Sequence, residues 1–177
     1  MKRLLATAAS LACCLALASC NGNGTPAHAH AKAHQSSGSA SPSAHPTLPA
    51  STLASAKKFT SQWVGTLNTA TTTGNTTKLK AISAKSCTAC TDFAKQLDVI
   101  YAAGGHVDSK GWSVQRIIPI EGNNAKEPGL YVTVTIAPQK VYRKKGSKPQ
   151  TYKGGDKNFQ FFLLRKGGGW VMQRIDV

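Results

Sequence analysis

The spacing of apolar residues changes period once along this chain, at Gly104-Gly105, and that change limits the fold more than any other feature. Before it, Leu53, Ala56, Phe59, Trp63, Leu67 and Ala70 recur at three or four residues, which aligns them on one face of a helix. Ser51 is the expected cap, and Gly74 the expected end after a Thr-rich last turn. A short second helix is expected around 76–82, with Leu79 and Ile82 inward. A third should run from about 88 to 103, with the stripe Cys90, Phe93, Ala94, Leu97, Ile100 and Tyr101. After Gly105 the period falls to two. Trp112, Val114, Ile118 and Ile120 alternate with polar positions, behind a turn at 108–111. Leu130, Val132, Val134 and Ile136 form the next strand, and Val141-Tyr142 is expected to continue it past a bulge at Pro138, which has no ladder donor. Phe159 to Leu164 is apolar on both faces and should lie centrally. Gly167-Gly168-Gly169 turns the chain into a last strand from Trp170 to Ile175. Helices followed by an antiparallel meander predict an α+β domain, its N-terminal helices packed on one face of a curved sheet.

The segment before residue 51 cannot build a core. Residues 21–50 are dominated by Ala, Ser, Pro, His and Gly, and so offer too little apolar surface to offset the entropy of ordering them. A coil of that length reaches roughly 30 Å on average, enough for a spacer. Ahead of it, Lys2 and Arg3 precede an apolar run from Leu4 to Leu17. That run is short of the about 20 residues a spanning helix needs, and it reads as a signal peptide. Its end, Leu17-Ala18-Ser19-Cys20, resembles a bacterial lipobox, in which the Cys sulfur takes a diacylglyceryl group and a peptidase cuts before it. The alternatives are a secreted protein with Cys20 there by chance, or an uncleaved anchor. The expected organisation is a signal peptide over 1–19, lipidated Cys20 with a disordered linker over 20–50, and one domain over 51–177. At least two acyl chains suffice for stable anchoring, here on the outer face of the plasma membrane.

Three features together resemble an uncharacterised family of actinobacterial lipoproteins with a SnoaL-like, or nuclear-transport-factor-two-like, domain. They are the lipobox with its low-complexity linker; the helix carrying Phe59, Trp63 and Leu67, followed by Gly74 and then Cys87-Thr88-Ala89-Cys90; and the closing strand with Trp170-Val171 and Ile175. The resemblance spans roughly 51–177. It implies a cone-like α+β fold and a place at the cell envelope, and it implies no activity.

Cys87 and Cys90 are the two thiols left once Cys13, Cys14 and Cys20 are accounted for. In an oxidising compartment they are expected to pair. One reading is a structural disulfide pinning the start of the third helix. A second is a redox pair, because a helix N-terminus stabilises a thiolate, although no βαβ pattern surrounds the motif. A third is zinc, which lacks a second pair of ligands in the domain. His28, His30, His34 and His45 fall in the linker, with no Cys or carboxylate to complete a metal site, so no metal or cofactor is expected.

The domain has one His, His106, and no nucleophile motif or phosphate-cradling loop, so no catalytic residue is assigned and an enzyme is not expected. If a pocket exists, Asp98, Tyr101 and His106 are its candidate lining, with Asp98, then His106, as general base; the alternative is a solvated helix residue at Asp98 and a turn residue at His106. Charge is more informative. The formal net charge is +15, of which two positive charges leave with Lys2 and Arg3. An extracytoplasmic address argues against nucleic acid and for anionic phospholipid or cell-wall polymer. Lys140, Arg143, Lys144, Lys145, Lys148, Lys153 and Lys157 crowd one predicted hairpin loop, against the single acid Asp156, with Tyr142 and Tyr152 interleaved. That loop is the expected contact with an anionic surface; the alternative is a solvated loop that only aids solubility.

Overall fold

A computed structural model describes residues 48–122 and 124–177. The signal peptide, Cys20, the His tract and most of the linker lie outside the described residues. The elements in chain order are α1 (Ala50–Thr73), α2 (Thr77–Ala81), α3 (Thr88–Ala102), β1 (His106–Ser109), β2 (Trp112–Pro119), β3 (Gly129–Ile136), β4 (Gln139–Tyr142), β5 (Gln150–Tyr152), β6 (Gly155–Lys166) and β7 (Gly169–Asp176). The fold is α+β, with antiparallel pairing between all neighbouring strands. Four strands form one sheet in the order β2-β3-β6-β7, and three form another in the order β1-β4-β5. Among the described residues no helix is long and apolar enough to cross a membrane.

Of the expected stripe, Ala56, Phe59, Trp63, Leu67 and Ala70 are buried and Leu53 is partly buried against the core, and Val64 joins them there. Ser51 is not the cap. Pro49 occupies that position, and its carbonyl accepts from Leu53 N at 3.0 Å. A missing N–H costs nothing at a helix start, which is why proline is tolerated there. Gly74 closes α1 in the left-handed conformation, its N–H donating to Ala70 O at 2.9 Å. A Cβ at Gly74 would overlap the Tyr101 ring, so α1 and α3 approach each other through this glycine. Trp63 is the centre of the core. Its ring meets Phe161 edge-on at 5.7 Å, and its Nε1 donates to Ser83 Oγ at 2.9 Å, which leaves the buried indole without an unpaired polar group.

The inner faces of β3 and β6 carry Leu130, Val132, Val134, Phe159, Phe161 and Leu163, all buried against the helices. β6 lies between β3 and β7, as its apolar run predicts. Three expectations from the pattern are corrected. The alternation in β2 breaks at a bulge between Val114 and Arg116, so Ile117 packs on the core and Ile118 is exposed. One extra residue inverts every position beyond it. Next, 108–111 is not all turn: Asp108 and Ser109 belong to β1, whose one buried residue is Val107. Finally, Val141-Tyr142 does not extend β3. The chain leaves the large sheet at Ala137, whose N–H donates to Gly111 O at 2.9 Å, and β4 pairs instead with β1 and β5. Pro138 sits at that exit, where no ladder hydrogen bond is needed.

Candidate functional site

The exit at Pro138 splays β4 away from β3 and leaves room between the small sheet and the helices. A cavity of about 660 Å³ fills it. Its helical wall is Leu67 and Thr71 of α1 with Phe93, Gln96, Leu97 and Ile100 of α3. These residues sit on the α1 and α3 stripes or one position beside them, so the stripes serve both core and cavity. Opposite stand Val107, Gln139 and Val141 of the small sheet, and Trp112 and Ile136 close the end nearest the large sheet. Trp112 is fixed from three sides. It stacks on Phe159 at 5.2 Å and meets Phe93 edge-on at 5.6 Å. The Asn68 amide also grips its backbone, with Trp112 N donating to Oδ1 and Nδ2 donating to Trp112 O, both at 2.8 Å. A helix side chain thus pairs with a strand as a neighbouring strand would. Gly111 permits this approach, since a Cβ there would lie 2.5 Å from Asn68 Oδ1.

The rim of the cavity is cationic. Arg143, Lys153 and Lys157 line it, and no Asp, Glu, His or Cys does among the described residues. Register explains the asymmetry. Lys157 stands opposite Val134 on the inner face, whereas Asp156 stands opposite Thr135 on the outer face and accepts from its hydroxyl at 2.6 Å. The one acid of the hairpin region is thereby turned away from the cations. Arg143 is held by Gln150 Oε1, which accepts from Nε at 3.2 Å and from Nη2 at 2.9 Å. That partner is neutral, so the guanidinium is oriented without being neutralised. None of the three rim cations forms an ion pair among the described residues, where the pairs between permanently charged groups are Lys80–Asp98 and Arg174–Asp176.

The seven cations expected on one protruding hairpin are thus divided by the fold. Lys153 lies beyond β5, and Lys157 belongs to β6 of the large sheet. Lys140, Lys144, Lys145 and Lys148 are exposed and stand apart from the cavity lining. The loop at its tip is also tied down, since Lys145 N donates to Ala103 O at 3.1 Å.

The residues expected to line a pocket are elsewhere. Asp98 is on the solvent side of α3, its side chain 42% exposed. It accepts from Lys80 Nζ and from Thr76 Oγ1, each at 2.6 Å. The Lys80 hydrogen bond, followed by that from Thr76, holds its carboxyl below the usual value. A general base for neutral pH requires the opposite shift, produced by burial. Tyr101 donates its hydroxyl to Thr71 O at 2.6 Å and braces the end of α1. His106 stacks on Tyr142 at 4.3 Å, on the face of the small sheet away from Val141. Sequence reasoning found the rim cations but not the apolar lining. Trp112 and Leu97 look like ordinary core residues, and nothing in the chain announces Gln96 or Gln139.

Cys87 and Cys90 form a disulfide, with Cα atoms 5.3 Å apart. Cys87 also caps α3, its Sγ accepting from Cys90 N at 3.3 Å. Both residues are buried in the core, Cys87 completely. A thiol that attacks or is attacked needs access, so this placement suits a staple better than a redox centre. Among the described residues no cluster of His, Cys, Asp and Glu could hold a metal ion.

A search of the curated proteins finds no match. Among solved structures, the chain is similar to the intermembrane space region of the chloroplast protein ARC6, with a TM-score of 0.55 and 11% identity. The likeness covers 75% of this chain and 98% of that one, and at such identity it speaks to fold alone. A family profile described as "Family of unknown function (DUF6318)" matches residues 22–176, and the chain belongs to that family.

Proposed function

We propose that this protein is a non-enzymatic, lipid-anchored binding module of the cell envelope, cut before Cys20, whose site is the cavity rimmed by Arg143, Lys153 and Lys157 and whose ligand is anionic. The observation that carries this reading is the rim: three cations that have no ion-pair partner among the described residues, beside an apolar hollow whose described lining has no carboxylate. Low-dielectric walls focus the field of such charges, and an anion entering there gains more than it would on an open surface. The lining, among the described residues, holds no Asp, Glu, His or Cys, and its lysines are exposed rather than desolvated as a nucleophilic amine requires, which favours binding over catalysis. Helices over an antiparallel sheet with a hollow between them also fit the cone-like, SnoaL-like packing and the actinobacterial lipoprotein family that the motifs resemble. The address rests on the Leu17-Ala18-Ser19-Cys20 motif. Its test is palmitate labelling in cells, which should mark the wild type and not Cys20→Ser; equal labelling of both would remove the anchor from the account.

The binding claim is tested with anilinonaphthalene sulfonate, an anionic dye that fluoresces in apolar sites. Purified protein should enhance its fluorescence with saturation, and the double variant Lys153→Glu, Lys157→Glu should lose most of that enhancement while unfolding at a similar temperature. Enhancement unchanged by the charge reversal would sink the reading.

A second reading concerns the four cations outside the cavity. Lys140, Lys144, Lys145 and Lys148 are exposed together on the small sheet and its hairpin loop. Near anionic headgroups or wall polymer each contributes about 1 kcal/mol, screened beyond about 8 Å at physiological salt. Retention on phosphatidylglycerol vesicles should fall with added salt and with Lys144→Glu, Lys145→Glu. Retention that ignores both would leave these lysines as a solubility device.

A further inference from the structure

We infer that the ligand is an amphipathic anion with a straight alkyl chain, its head held by Arg143, Lys153 and Lys157 and its tail laid against Leu97, Ile100 and Val141. This inference rests on the binding reading above and narrows its ligand class. The cavity, at about 660 Å³, falls within the range of about 300–1,000 Å³ that holds a single drug-sized ligand. Its charged lining comes only from the sheet elements and their loops. The three cations come from the loop after β4, the turn after β5 and the start of β6, whereas the lining from α1, α3 and β1 carries no charged side chain. A wholly polar anion would leave that lining unused, and a wholly apolar one would leave three cations without a partner.

The aromatic geometry separates a chain from a flat ring. A planar ligand gains most where a ring face is open for offset stacking. Phe93 and Trp112 stand at 88° to each other, and the Trp112 face is already stacked on Phe159 at 12°. No parallel slot exists between these two rings; Tyr152 is the one further ring of the lining, and the rest of its apolar surface is aliphatic: Leu67, Leu97, Ile100, Val107, Ile136 and Val141. Aliphatic walls reward each buried methylene and are indifferent to planarity. At the head, the Arg143 fork has Nε and Nη2 engaged by Gln150, so the anion meets one guanidinium edge and two ammonium groups. Lysines act as point charges, so a carboxylate and a phosphate are both accommodated.

The experiment measures displacement of anilinonaphthalene sulfonate from purified protein by butanoate, octanoate, dodecanoate, dodecyl phosphate and dodecanol. Each added methylene should tighten the carboxylate by up to about fourfold until the hollow is filled. Dodecanoate and dodecyl phosphate should bind at least about tenfold more tightly than dodecanol. Lys153→Glu, Lys157→Glu should weaken dodecanoate and leave dodecanol unchanged. Gln139→Trp fills the cavity without altering charge, and it should weaken dodecanoate while sparing butanoate. Butanoate equal to dodecanoate, with the dye still bound, would overturn the alkyl-chain inference and leave the anion site standing. Dodecanol equal to dodecanoate would overturn the head-group assignment. A dye that fails to respond to the charge reversal would instead remove the underlying binding reading.

Discussion

Asn68→Ala tests whether the pairing of a helix side chain with the first residue of β2 holds the cavity together. The substitution removes two hydrogen bonds of 2.8 Å that span 44 residues of sequence, and leaves the Trp112 N–H and C=O without their partner. Each net hydrogen bond is worth about 1 kcal/mol, and a polar group stranded away from water costs about 1–3 kcal/mol. Trp112 is only half-buried, so water can reach part of its backbone and the lower end applies. The expected loss is about 2 kcal/mol, or roughly 6–10 °C in melting temperature for a domain of this size. Thr72→Ala is the control. Its hydroxyl bonds only to the carbonyls of Asn68 and Thr69 on the exposed side of the same helix, so it should be neutral or slightly stabilising. Thermal melts followed by circular dichroism read both. A loosened Trp112 should also weaken dye binding several-fold. If Asn68→Ala melts within about 0.5 kcal/mol of wild type, the pairing is not holding β2 against α1 and the reasoning fails.

Four further outcomes are expected. Thr60 Oγ1 is completely buried and has no hydrogen-bond partner among the described residues, so Thr60→Val should stabilise by about 1 kcal/mol in a denaturant titration; a loss instead would mean the hydroxyl is satisfied. Gly74→Ala should cost more than about 2 kcal/mol, from the left-handed conformation and the overlap with Tyr101, whereas Gly65→Ala, with open space around it, should gain about 0.5–1 kcal/mol; equal melting temperatures would contradict this. The lowered Asp98 pKa contributes stability that is present above the unfolded value near 3.8 and is lost as pH falls through the folded value. Asp98→Asn should therefore be slightly less stable than wild type at neutral pH, by little because the pair is part-exposed, and should converge with it as pH falls through the folded value; a profile parallel to wild type would refute the assignment. The buried Cys87–Cys90 disulfide should resist mild reductant until the chain unfolds, and its loss in Cys87→Ala, Cys90→Ala should cost about 2 kcal/mol; ready alkylation of the native protein after reduction would reopen a redox role.

The sequence was most legible where one face of one element meets one core. The α1 stripe, the Gly74 stop and the inward set of β3 follow from periodicity alone, because a period of 3.6 or 2 is a direct image of burial. Legibility failed where a single residue changes parity or partner. The β2 bulge exchanges Ile117 for Ile118, and no local signal marks it, since both are isoleucine. β1 is hidden because one buried residue, Val107, gives no alternation to read. The small sheet is invisible in one dimension because β4 pairs with a strand more than thirty residues earlier rather than with β3. The cavity is a product of that pairing, so its lining could not be collected from the chain. Its cations could, because a run of lysines is a compositional signal. Which of them turn inward is a matter of register, set by Val134 opposite Lys157 and Thr135 opposite Asp156.

The cavity is the proposed anion site. The most direct measurement is an amide NMR titration of the protein with anilinonaphthalene sulfonate at low and high salt. Shifts should concentrate at Val107, Val141, Lys153 and Lys157 and shrink as salt rises. Shifts centred on the outer face of the large sheet, around Ile118 and Tyr131, or shifts insensitive to salt, would contradict it.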